Sequence, residues 1–161
     1  MKAFERLKKA RVQLQKDFPF FAYLCLYIKF GEEETKGVNT IGIDGNGNMY
    51  YNEDWISGLD DEELKSVNCH EALHLAFLHM VRRGTRHPEI WNLADDLAIN
   101  CILVANKFKL PDGIVPDEEG NFDLCLRDKQ LNNRRLGALA GMNPYDDVFK
   151  ENAIDERREG E

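Results

Sequence analysis

A long helix is expected from about Asp61 to Arg83, and it turns two histidines towards the protein interior. Asp60 is suited to cap its start, with Glu63 three residues on, and Asp61 and Glu62 favour the positive end of the helix dipole. Gly84 is placed to close it. On that helix Val67, Leu73, Phe77, Met80 and Val81 span roughly 140° of the circumference. His70 and His74 fall inside this apolar arc, while Lys65, Asn68 and His79 project from the opposite side. Polar side chains on an inward face are costly unless something satisfies them.

The sequence around them, Cys69-His70-Glu71-Ala72-Leu73-His74, contains HExxH. Two histidines at i and i+4 lie about 40° apart on a helix, so both rings can reach one cation. Glu71 is about 100° round from His70, beside such a cation rather than on it. There it can take a proton from a water that the cation activates. Three fixed positions also arise by chance, so the inward orientation and the helix-start signals carry much of the argument.

A zinc site of this kind needs a third protein ligand and one position open to water. Pro88 is well placed to open a second helix, with Glu89 in its first turn, running to about Ala105. Its apolar stripe is Ile90, Leu93, Leu97, Cys101 and Val104. Asp96 sits about 100° to one side of Leu97, with Asn92 and Asn100 on the same flank, and Asp95 points about 160° away, towards solvent. Packed on the HExxH helix, this second helix could bring Asp96 to the cation. Taken alone, an Asp on a helix flank is more simply a solvated or ion-paired residue. His79 and His87 are rival ligands, but His79 faces away and His87 lies in the turn between the helices.

The rest of the chain reads as an α+β domain, a small, mostly antiparallel sheet packed on two central helices. Phe4, Leu7, Ala10 and Leu14 recur at helical spacing over residues 3 to 16. Phe20 to Phe30 reads as a strand or a buried helix. Val38 to Asp44 and Asn48 to Tyr51 flank Asp44-Gly45-Asn46-Gly47, a strong hairpin signal. After Asn106 the pattern weakens, with short helices expected around Leu131 to Ala140 and after Pro144. Residues 1–149 are expected to form one domain, and 150–161 a polar, frayed tail.

Of 161 residues, 21 are Lys or Arg and 29 are Asp or Glu, a net charge of −8. A chain this acidic is ill suited to nucleic acid or to anionic membranes. The first sixteen residues interleave charged and apolar residues, and the apolar run from Phe18 to Phe30 is too short for a bilayer. Cys25, Cys69, Cys101 and Cys125 form no CxxC pair, which suits free thiols in a reducing cytoplasm.

The segment HEALHLAFLHMVRRGTRHPEIWNLADDLAIN resembles the predicted metal-dependent peptidases that have an N-terminal metallopeptidase domain, often followed by a von Willebrand factor A-like domain. The matching pieces are His70 to His74, His79, Arg82 and Arg83, then Trp91, Asn92, Ala94, Asp96 and Asn100. Upstream, IDGNGNMYYNEDWISGL is similar to that family's T-D-G and Y-Y-N stretch, with Ile43 in place of the Thr. No A-like domain follows in this sequence. The resemblance covers roughly residues 38 to 116. It implies a zincin-like fold with His70, His74 and Asp96 as ligands to Zn2+. It further implies that the hairpin strand before the motif helix pairs with an extended peptide, although an ordinary sheet hairpin is at least as simple a reading.

The expected function is therefore a zinc-dependent peptidase with Glu71 as general base, acting on a peptide or protein. Tyr50, Tyr51, Asn92 and Arg83 are the candidates for stabilising the oxyanion. Two alternatives stand beside it: a non-catalytic, zinc-stabilised binding or assembly module, and a dedicated regulatory protease with a single protein substrate.

Overall fold

A computed structural model describes residues 2–31 and 34–112. The element order is α1 (Ala3–Asp17), α2 (Pro19–Cys25), β1 (Lys29–Phe30), β2 (Ile41–Ile43), β3 (Asn48–Tyr51), α3 (Glu53–Gly58), α4 (Asp61–Ala76), α5 (His79–Arg82) and α6 (Pro88–Ala105). The short helices expected around 131 to 140 and after Pro144, and the polar tail, lie outside the described residues.

Helix α1 follows its periodicity: Ala3, Leu7, Ala10 and Leu14 are its buried residues. Its polar face holds two other elements in place. The Arg6 guanidinium donates to the carbonyls of Ile56, at 2.9 Å, and of Ser57 and Leu59, satisfying the end of α3. Arg11 donates to the carbonyls of Cys25 and Ile28, at 3.1 Å each, where α2 ends. The ambiguous Phe20–Phe30 stretch resolves into both readings. Pro19 opens α2, and the chain then extends into β1.

The sheet is mixed, which corrects the expectation of a mostly antiparallel one. Its order is β1-β3-β2, with β2 antiparallel to β3 and β1 parallel to it. The hairpin gives the antiparallel pair. The parallel pair arises because β1 reaches β3 from α2 and not through a tight turn.

The hairpin turn is built as its sequence demands. Asp44 accepts from the Asn46 and Asn48 backbone amides, the Asn48 side chain and the Tyr50 hydroxyl. The bond from the Asn48 side chain does most to hold the Asp44 carboxyl down, at about 2. Gly47 has φ +82°, and a Cβ there would lie 2.6 Å from the Tyr27 carbonyl oxygen. Both strain and collision oppose any side chain. Gly47→Ala should therefore destabilise the fold by about 2–4 kcal/mol, read as a lower midpoint in urea unfolding with an unchanged slope.

Helix α4 begins at the expected capping box: Asp60 accepts from the Glu63 amide and Glu63 from the Asp60 amide, both at 2.9 Å. It packs against α1, α2, α6 and β2, and so is enclosed on nearly all sides. This corrects the outward placement of Lys65 and Asn68, because α1 and α2 cover that side. Buried Lys65 is ion-paired with Asp17 at 2.9 Å and with Glu62 at 2.7 Å. The Asn68 amide donates to the Leu64 carbonyl at 2.8 Å.

The single helix expected over 61–83 is interrupted. Helix α4 stops at Ala76, and Leu78 takes a left-handed conformation, φ 55° and ψ 37°, before the short α5. Such a backbone is uncommon for a residue other than glycine. Its consequence is a change of direction. Val81, assigned to the apolar arc, is exposed, whereas His79 is turned inward.

Helix α6 runs over the expected residues and buries Ala94, Leu97, Ala98, Ile99 and Leu103. Among the described residues, no helix is long and apolar enough to cross a membrane. Cys25, Cys69 and Cys101 are free thiols.

Candidate metal centre

Helix α4 supplies two imidazoles and α6 one carboxylate. His70 and His74, one turn apart on the stretch before the break, direct their Nε2 atoms at each other, 3.0 Å apart. Asp96 Oδ1 lies 3.3 Å from His70 Nε2 and 3.0 Å from His74 Nε2. These atoms form a nearly equilateral triangle. Donors around a tetrahedral zinc ion, bonded at about 2.0–2.1 Å, are separated by about 3.3 Å. The observed spacing therefore suits three corners of one coordination tetrahedron, and His70, His74 and Asp96 could hold a metal ion.

The cluster is enclosed yet reachable. The side chains of His70 and His74 are 18% and 10% exposed, and that of Asp96 is 34% exposed. Burial works against ionisation of Asp96, but the bonds to His70 and His74 outweigh it and hold the carboxyl well below the usual carboxylate range. His70 moves the other way. Burial opposes its charged form, and the bond to Asp96 overcomes that and raises its pKa. Glu71, on the same helix, is buried. Burial pushes its carboxyl above the ordinary value, outweighing the pull of His70 and His74, which lower it.

Around the triangle lies a ring of polar partners. Asn100, one turn beyond Asp96, accepts through its side-chain oxygen from His70 Nδ1 at 3.0 Å, which puts the His70 proton on Nδ1. The Asn92 amide donates to Asp96 Oδ2 at 3.3 Å. Asn92, Asp96 and Asn100 thus form the polar flank read from their four-residue spacing.

Two placements correct the sequence reading. Asp95 is buried against His79 and does not point to solvent, its Oδ1 3.5 Å from His79 Nε2. His79 does not face away: its Nδ1 lies 2.9 Å from His74 Nδ1, on the side of that ring remote from Asp96. The reason is the break at Leu78, after which the chain turns His79 towards His74 and Asp95. The Trp91 indole donates to the His79 carbonyl at 2.8 Å and secures the fold-back. Burial pushes Asp95 up to about 7, and burial with the neighbouring His74 and Arg82 lowers His79 to about 3.

His87, the other rival ligand, is exposed at the start of α6. Of the oxyanion candidates, Tyr51 is fully buried and donates its hydroxyl to the Gly31 carbonyl, and Tyr50 donates to Asp44. Asn92 stands beside the triangle.

A family model described as "Putative metallopeptidase domain" matches residues 2–146. The chain belongs to that family. The matched residues include the whole of the cluster, from α4 through α6. A relative named "Uncharacterized protein", from Thermotoga maritima (strain ATCC 43589 / DSM 3109 / JCM 10099 / NBRC 100826 / MSB8), is 30% identical over 104 residues. That match covers 62% of this chain and 26% of the relative, so the chain spans about a quarter of the relative's length. No solved structure matches the chain.

Proposed function

We propose that the protein is a zinc-dependent peptidase of the HExxH type with a zincin-like fold, its ion held by His70, His74 and Asp96. The observation that carries this reading is the triangle of donors spaced at 3.0–3.3 Å on two packed helices, with Glu71 next to His70. When bound, a zinc ion supplies Lewis acidity, polarising the scissile carbonyl and making a water easier to deprotonate.

The chain's own residues do the rest. Glu71 removes the proton of the attacking water and delivers it to the leaving amine. Its burial favours holding that proton between the two steps. Asp96 balances charge while Asn92 and Asn100 orient the donors. Asn92 is also placed to donate to the developing oxyanion. Strand β2 is an outer strand of the described sheet and packs against α4, so an extended peptide adds along its free edge. We assign residues 1–149 to this one domain and place it in the cytoplasm, the latter from the free thiols of Cys25, Cys69 and Cys101.

Metal analysis tests the reading. Wild-type protein isolated without chelators should contain one zinc per chain, and His74→Ala should contain almost none while keeping a helical circular dichroism spectrum. A wild type without stoichiometric metal, even after incubation with zinc, would remove the basis for the proposal.

A further inference from the structure

We propose that Asp95 and His79 form a buried relay that fixes the His74 ring in the tautomer and orientation required of a metal ligand. Both are then positioning residues, and neither holds a second ion. This inference rests on the ligand set proposed above.

The argument follows the protons. A neutral imidazole has one lone pair and one N–H. If His74 offers Nε2 towards Asp96 and His70, its proton must sit on Nδ1. That atom lies 2.9 Å from His79 Nδ1, so His79 must accept there. His79 then carries its own proton on Nε2, and this atom faces Asp95 Oδ1 at 3.5 Å. Asp95 Oδ1 is buried and has no hydrogen bond among the described residues, so it is an acceptor in need of this donor. The three groups thus form a chain in which every N–H points from the metal ligand outward. Metal-bound histidines generally donate their second ring nitrogen to such a partner. His70 does the same with Asn100 at 3.0 Å.

His74, His79 and Asp95 also lie close enough to suggest a second cation. The orientation of the rings argues against it. His79 makes its shortest approach to His74 through Nδ1 and to Asp95 through Nε2, so no single nitrogen makes both close contacts. His74 could offer Nδ1 to an ion only by losing its last ring proton. The surroundings instead suit an immobile spacer. The His79 ring packs against Phe77 and Trp91, and the Leu78 backbone brings it inward.

Zinc affinity and histidine NMR test the relay. Zinc binding is measured by competition with a chelator of known affinity for wild type, His79→Phe and Asp95→Asn. His79→Phe should bind one zinc about 10–100-fold more weakly. Asp95→Asn, whose side-chain oxygen still accepts a hydrogen bond, should lose less. In zinc-loaded wild type, long-range proton–nitrogen spectra should show His74 protonated at Nδ1, with a slowly exchanging N–H that exchanges fast in His79→Phe. Two zinc ions per chain, metal on His74 Nδ1, or wild-type affinity in His79→Phe would each overturn the relay. If His79→Phe fails to fold, the wild-type spectrum and Asp95→Asn decide. A wild type that takes up no zinc overturns the peptidase proposal and the relay together, whereas one zinc held indifferently to His79 overturns the relay alone.

Discussion

Glu71→Gln should retain one zinc and the wild-type fold while losing about 10²–10⁴-fold in the rate of peptide hydrolysis. The substitution preserves shape and burial but removes the basic oxygen. Because Glu71 is not among the three donors of the triangle, metal content should not fall. Thermal stability should hold or rise. Burial raises the Glu71 carboxyl, so the folded state disfavours its charge, and a neutral amide escapes that penalty. The experiment compares cleavage of an unstructured protein substrate, metal content and melting temperature for the two proteins. Unchanged cleavage would show that Glu71 is not the base. Loss of both zinc and activity would instead make Glu71 part of the binding set. A purely structural metal domain predicts no cleavage by either protein.

The parts of this site legible from sequence are those on uninterrupted helix. His70, His74 and Asp96 keep the angular relations that 3.6 residues per turn dictates, because α4 and α6 are regular through those positions. The capping box at Asp60 and Glu63 and the turn at Asp44 to Gly47 were equally readable, since each is local chemistry. His79 and Asp95 were placed wrongly for one shared reason. No glycine or proline marks the break at Leu78, so the helical wheel was carried past the point where the helix ends. Lys65 and Asn68 show a different limit. A wheel ranks faces by polarity, but α1 and α2 cover α4 even where it is polar. The parallel strand β1, with only Lys29 and Phe30, is too short to give a period. Helix α3 went unread, although Asn52 caps it by accepting from the Trp55 amide.

In protein stripped of metal, Asp95→Asn should be more stable than wild type above neutral pH, by up to about 4 kcal/mol. The Asp95 carboxyl is buried, and burial followed by the charge of Asp96 raises it from 3.8 to about 7. Arg82 and Arg86 oppose the shift, as does a bond from Trp91, and His79 faces the same carboxyl. The sign follows from proton counts. Below about pH 4 the group is protonated in both folded and unfolded chains and contributes nothing. Between about 4 and 7 the unfolded chain ionises and the folded one does not, so stability falls as pH rises. Above about 7 both are ionised and the deficit is constant. Asparagine removes the titration, so the difference between the two proteins should be small at pH 4, widen towards pH 7 and then level off. Urea unfolding in the presence of chelator at several pH values measures it. A flat difference, or a variant less stable at pH 8, would refute the assignment. The same substitution should weaken zinc binding through His79. Opposite effects on metal-free stability and on metal affinity would mean that Asp95 is retained for the site at the expense of the fold.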